Sequence, residues 1–300
     1  MRTAAHPADR SQWNEDDILR DVVAKLRGAG LEVPPWVVEF GAWDGEHLSN
    51  AHYWLAAEAW SGVLIEGDAR RVADGRRKWG HHPGVTMIHS LVGWEGRQAL
   101  DQILATTAIP ETFGILSIDV DGNDYHIWSA VTKYKPMIAV VEFNPTIPVD
   151  VHFVQKADPD VQHGTSLAAL ASLGKQKGYS LVAVTKTNGI FVKNEHFPFM
   201  DVARNAPADL WLERPKEVRA FVLYDGTVCL TSEIRDWWGP GVVLTSEVQI
   251  YPSWARGFDP RGFRKQLRNV WLQWVKLRRI NVRLQWVKLK RRFRGANAVR

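Results

Sequence analysis

Seven short apolar runs, five of them alternating with helical stretches, constrain this chain more than any other feature. Trp36-Val37-Val38-Glu39-Phe40, Gly62-Val63-Leu64-Ile65-Glu66, Val85-Thr86-Met87-Ile88, Phe113 to Val120 and Met137 to Phe143 are each short and apolar, and read as buried strands. Residues 46–60, 69–78, 98–107 and 125–134 between them read as helices. Strands buried on both faces belong to a mostly parallel sheet with helices on each side. Right-handed crossovers make such a sheet doubly wound. A helix over Ser166 to Lys177 follows, then strands over Ser180 to Lys186 and Gly189 to Val192. Thr187-Asn188-Gly189 between the last two is a hairpin signal. The expected fold is α/β: a doubly wound sheet of seven strands closed by a terminal β-hairpin.

Four segments are expected. Residues 1–32 carry an N-terminal helix with an apolar stripe at Ile18, Leu19, Val22, Val23 and Leu26, ended by Gly28 and Gly30. Residues 33–196 are the sheet domain. Residues 197–260 form a small β appendage. In it Phe221 to Tyr224 and Thr227 to Leu230 flank the turn Asp225-Gly226, Trp237 to Gly241 is a loop, and Val242 to Ile250 reads as a strand. Residues 261–300 are a basic amphipathic helical tail.

Composition narrows the class. The 300 residues are 45% hydrophobic and 24% charged, which excludes a disordered or fibrous chain. No apolar run reaches the ~18 residues of a transmembrane helix. Residues 1–20 lack a signal-type apolar core. A single cysteine, Cys229, excludes an internal disulfide and a cysteine-rich metal site. A cytoplasmic protein is expected. Most of the fifteen tryptophans are expected in the core and in pocket walls.

Ligands of open α/β sheets sit beyond the carboxyl ends of the strands. After the first strand comes Glu39-Phe40-Gly41-Ala42-Trp43-Asp44-Gly45. This is not the G-x-G-x-x-G dinucleotide fingerprint, so a nicotinamide enzyme is disfavoured. Gly41 and Gly45 let the backbone pass close to a ligand, and Glu39 and Asp44 favour a cationic one. After the second strand, Glu66 suits a carboxylate accepting from both ribose hydroxyls of a nucleoside. The fourth strand runs into Ser117-Ile118-Asp119-Val120-Asp121-Gly122-Asn123-Asp124, the densest group of carboxylates in the chain. Asp119 and Asp121, with Glu142 or Asn144 from the fifth strand, could hold a divalent metal or position a hydroxyl or an ammonium. His152 and His163 follow in the next loop, and His163 is a candidate general base.

The order Glu-Phe-Gly-Ala-x-Asp-Gly, Ile-Glu-Gly, Ile-Asp-Val-Asp-Gly, Val-Glu-Phe-Asn and Ser-Leu-x-Ala-Leu…Lys-Gly-Tyr-x-Leu-Val, over residues 36–195, resembles the FkbM-type class I methyltransferases. The resemblance implies a Rossmann-like methyltransferase sheet and S-adenosylmethionine held by Glu39, Gly41, Asp44, Gly45, Glu66 and Asp119. It also implies a sugar, glycan or natural-product hydroxyl as acceptor. Ser117 and Asp121 stand where the family typically has Lys and Glu. Asp121 is expected to orient the acceptor or ligate a metal, and His163 to act as base. A methyltransferase-like binding module without turnover, tethered by its tail, is the alternative.

The net charge of +5 hides two opposed halves. Residues 261–300 hold 14 Lys/Arg and no Asp or Glu, whereas the other 260 residues hold 24 basic and 33 acidic side chains. From Phe263 apolar residues recur at steps of three or four. Leu272-Gln273-Trp274-Val275-Lys276-Leu277-Arg278-Arg279 is nearly repeated as Leu284-Gln285-Trp286-Val287-Lys288-Leu289-Lys290-Arg291. Docking on an anionic membrane surface, at its inner face, is the expectation; packing on the acidic body and nucleic-acid binding compete with it, the last without an accompanying motif.

Overall fold

The computed structural model describes residues 6–212, 218–231, 234–235, 242–243, 248–249, 251–257 and 262–275. The chain divides into two compact units, Met1–Pro215 and Lys216–Arg300.

The first unit opens with α1 (Glu15–Gly28), then β1 (Trp36–Phe40), α2 (His52–Ala56), β2 (Ser61–Glu66), α3 (Ala69–Trp79) and β3 (Val85–His89). It continues through α4 (Leu100–Leu104), β4 (Thr112–Ile118), α5 (Asp124–Ala130) and β5 (Lys135–Glu142). It closes with α6 (Leu167–Gln176), β6 (Tyr179–Val184), β7 (Asn188–Lys193) and α7 (Pro207–Leu210). The strand order is β3-β2-β1-β4-β5-β7-β6. β1 to β5 are parallel, and β7 runs antiparallel to both of its neighbours. This is the expected doubly wound seven-stranded sheet, closed by the terminal hairpin.

Alternation along each strand feeds two cores. Val38, Phe40, Val63 and Ile65 point to one face, with Ile127 and Trp128 of α5 and Leu170 of α6. Val37, Leu64, Ile115 and Ile138 point to the other, with Leu19, Val22 and Leu26 of α1. Both faces are therefore covered, as buried parallel strands require.

Several local readings shift, and the helices read over 98–107 and 125–134 are observed as Leu100–Leu104 and Asp124–Ala130. The helix expected over 46–60 is confined to His52–Ala56. The Asp44 carboxylate takes the amides of Glu46 and His47, Ser49 Oγ takes those of Ala51 and His52, and Leu48 has φ +53°. Side-chain acceptors here replace the helical ladder. The fourth strand stops at Ile118, because Asp124 captures the amide of Val120. The final hairpin turns at residues 185–187, since Asn188 and Gly189 already pair with Glu142 and Val141.

In the second unit β8 (Ala220–Val222) pairs antiparallel with β9 (Val228–Leu230) around Asp225-Gly226, as expected. Residues 242–243 pair with Ile234–Arg235; of the strand read over 242–250, only residues 242–243 and 248–249 are described. Residues 263–275 are helical. The loop 237–241 and the tail from residue 276, including the second copy of the near-repeat, lie outside the described residues. Among the described residues no helix is long and apolar enough to cross a membrane.

Candidate functional site

The strand order reverses between β1 and β4, and a cleft of about 810 Å3 opens beyond their carboxyl ends. Gly41, Glu66, Asp119 and Asp121 all line it, together with Trp43, Arg71 and Glu142. Gly41, at φ +70°, follows β1 where β4 hands over to Asp119. A Cβ on Gly41 would lie 1.9 Å from the Asp119 carbonyl oxygen, so only glycine fits.

Glu66 ends β2 with its carboxylate spoken for on both oxygens. Trp43 N–H donates to Oε2 at 2.9 Å and Asp68 N–H to Oε1 at 2.7 Å. These bonds fix the orientation of the group and leave lone pairs for a ligand in the cleft. Arg71, from the first turn of α3, stacks 3.4 Å from the Trp43 ring centroid and lies 3.9 Å from Glu66. Trp43 itself has φ +52°, and its ring meets that of His47 at 4.6 Å. Trp43 was visible in the first-strand motif without a role, and nothing local pointed to Arg71.

Glu39 is buried and lies under the loop rather than in the cleft wall. It accepts from Ser49 Oγ and from Asn50 N–H at 2.7 Å, while Asn50 Nδ2 donates to Ser117 Oγ at 3.0 Å. Burial raises its carboxyl to about 7, with the Asp119 charge adding to the rise. Asp44 also stands outside the cleft wall. Burial works against its ionised form, but Lys78 and the amides of His47 and Glu46 bring it down to about 2. Gly45 abuts Leu64 and Trp79, so its missing Cβ serves the packing of α3 on the sheet. These three residues shape the loop that carries Gly41 and Trp43.

The inner wall is acidic. Asp119, Asp124 and Glu142 present ligand oxygens within 4.8 Å of one another. The sequence grouped Asp119 with Asp121. Asp121 instead has φ +55° and sits exposed on the cleft wall, and Asp124 takes its place in the cluster. Asp124 accepts from Val120 N–H at 2.9 Å and Gly122 N–H at 3.0 Å, which closes the turn. Burial, then the charge of Asp121, pushes Asp119 up to about 6. Burial, then Asp119, pushes Asp124 to about 7. Glu142 is raised well above the ordinary range by burial and by the same neighbours, and shares a hydrogen bond with Asp119.

Asn144 is committed elsewhere. Its Nδ2 donates to the His163 carbonyl at 2.7 Å and its Oδ1 accepts from Thr146. His163 is exposed, and its side chain is not in the cleft wall. The residue that organises this loop is Gln155, which the sequence reading missed. Its Oε1 accepts from His163 and Gly164 N–H, both at 2.8 Å, and its Nε2 donates to Asn123 and to the Val161 carbonyl. A lone glutamine in a loop carries no local signal of such a role.

The donor set fits S-adenosylmethionine. A fixed carboxylate at the end of β2, a glycine cradle at Gly41 and an acidic inner wall suit its ribose, its methionine portion and its two cationic groups.

No family model matches the sequence, and no curated protein does. Solved structures do. A SAM-dependent methyltransferase from Aquifex aeolicus is 11% identical, over 62% of this chain and 93% of that one, with a TM-score of 0.37. An O-methyltransferase from Bacillus cereus in complex with SAH is 17% identical over 63% and 84%, at 0.40. The N-terminal domain of EvdMO1, in the presence of SAH and D-fucose, is 11% identical over 63% and 84%, also at 0.40.

Proposed function

We propose that the first unit is an S-adenosylmethionine-dependent methyltransferase of FkbM type that methylates a hydroxyl of a sugar, glycan or natural product. One observation carries this reading: the Glu66 carboxylate, held by two backbone amides, shares a cleft with the Gly41–Asp119 close approach and an acidic inner wall. The cofactor supplies a methyl group already activated on a sulfonium.

The chain has three tasks. Glu66 accepts from the ribose hydroxyls, and Gly41 lets the backbone of β1 approach the methionine portion. Asp121, on the cleft wall, orients the acceptor. Asp119, raised to about 6 and bonded to Glu142, takes the hydroxyl proton near neutral pH. That role passes to the carboxylate pair because His163 lies outside the cleft wall. Asp119, Asp124 and Glu142 are also spaced to hold a divalent cation. A proton between Asp119 and Glu142 serves the same electrostatic need, and this reading assigns the proton.

The test is titration with S-adenosylmethionine and S-adenosylhomocysteine, followed by transfer of labelled methyl to a panel of sugars and glycan extracts. Saturable binding with labelled product supports the enzyme. Binding without product on any acceptor supports the alternative, a binding module.

A further inference from the structure

The second unit exposes apolar side chains where a small water-facing body has no use for them. On the helix over 263–275, Phe263, Val270 and Trp274 are 64%, 64% and 43% exposed. Their spacing of seven and four places them within an arc of about 40°. The helix already has an inner apolar side: Leu267, Trp271, Leu272 and Val275 are half-buried, and Trp271 meets Trp254 edge-on at 5.7 Å. Leu267 lies within about 20° of Trp274 on the helix, and Trp274 stacks on Trp271 at 5.0 Å, so the exposed stripe widens one continuous apolar side.

The hairpin repeats the pattern. All of β8 is exposed, so Phe221 and Val222 face solvent from both sides of the strand. Leu223 and Tyr224 continue the run into the turn, and Tyr224 is 95% exposed. Arg268 joins the two elements through the Asp225 carbonyl at 3.3 Å. Residues 261–300, which include this helix, carry 14 basic side chains and no acidic one.

We propose that the second unit docks the protein on an anionic lipid surface, with the 221–224 tip and the Phe263–Val270–Trp274 stripe entering the headgroup region. Aromatic and aliphatic side chains beside Lys and Arg are what an interfacial element requires. Charge draws such a segment to anionic lipid and apolar burial retains it. Exposed Val222, Leu223 and Val270 gain nothing from a nucleic-acid backbone, which rewards cations and stacking rings. Two of these basic tails meeting each other would bring like charge against like charge.

The test is co-sedimentation of the full chain with phosphatidylcholine vesicles, with and without about a quarter phosphatidylserine, at about 0.1 M and about 1 M salt. Binding to the anionic vesicles at low salt, reduced at least ten-fold by high salt or by omitting phosphatidylserine, supports the proposal. Equal partition onto both vesicles, or onto neither, overturns it. The variants Tyr224→Glu and Val270→Glu, at exposed positions, test the apolar half. A five-fold or greater loss with each, at an unchanged thermal transition, supports it, and full retention overturns it. If a variant does not fold, quenching of tryptophan fluorescence by brominated lipid in the native chain decides: quenching on the anionic vesicles supports insertion and none overturns it. Tighter binding to duplex DNA than to the anionic vesicles at the same salt also overturns it.

Discussion

The carbonyl oxygen of Asp119 lies 1.9 Å from where a Cβ on Gly41 would stand. Two parallel strands converge there, and the contact ties the loop after β1 to the acidic turn after β4. Gly41→Ala meets both a backbone clash and a left-handed φ. The combined cost is about 2–5 kcal/mol, from roughly 1–2 for the conformation and 1–3 for overpacking. Urea unfolding of the variant against the parent measures it. A difference below about 0.5 kcal/mol, the range of ordinary surface changes, would contradict the packing described.

The carboxylate pair sets a pH dependence. If Asp119 accepts the acceptor's proton, methyl transfer rises with pH through about 6 and then levels. Asp119→Asn lowers the maximal rate by roughly 10²–10⁴-fold, the usual contribution of a general base. Chelation of divalent cations leaves the native rate unchanged. A rate abolished by chelator and restored by magnesium would move the cluster from proton to metal.

Buried Glu39 makes stability fall as pH rises. Its folded carboxyl titrates at about 7 against 4.5 when free, so the folded state holds an extra proton between those values. That contribution is complete below about pH 4.5 and is lost as pH rises through 7. At ~1.4 kcal/mol per pH unit it amounts to about 3 kcal/mol. Glu39→Gln removes this slope while keeping an acceptor for Asn50 N–H. Thermal unfolding between pH 5 and pH 8 shows the difference, and equal slopes in parent and variant would refute it. Asp44 acts oppositely: held at about 2, it stabilises above pH 4 and loses that effect only as pH falls toward 2.

The sheet was readable because its strands are short apolar runs, and four of the five parallel ones (β1, β2, β4 and β5) end at a glycine or an acid. Val37 and Val38 feed opposite cores, which is why the run is continuous rather than alternating. The cleft residues Gly41, Glu66, Asp119 and Asp121 were readable from their place at strand ends. The composition of the acidic cluster was not. Asp124 joins Asp119 in place of Asp121 because Asp121 sits at positive φ. Asp44 meets Lys78 across 34 residues, and Gln155 organises its loop through bonds to Val161, His163 and Gly164 and, across 32 residues, to Asn123 in the turn after β4. Local patterns carry strand ends; they do not carry loop closure.

The boundary at Pro215 yields a further expectation. A chain ending there contains both cores, the whole sheet and every cleft residue, so it is expected to unfold cooperatively and to bind the cofactor as the full chain does. Calorimetry of the shortened chain checks it. Failure to fold would make the second unit part of the core structure.

The proposed function requires that the cleft hold S-adenosylmethionine with its ribose on Glu66. Isothermal titration of the parent and of Glu66→Ala with S-adenosylmethionine tests it directly. The parent is expected to bind one equivalent, competed by S-adenosylhomocysteine. The variant, folded by circular dichroism, is expected to lose about 1.5–3 kcal/mol, or roughly 10- to 150-fold in affinity, the range for hydrogen bonds to a charged group. No binding by the parent, or equal affinity in the two proteins, would contradict it.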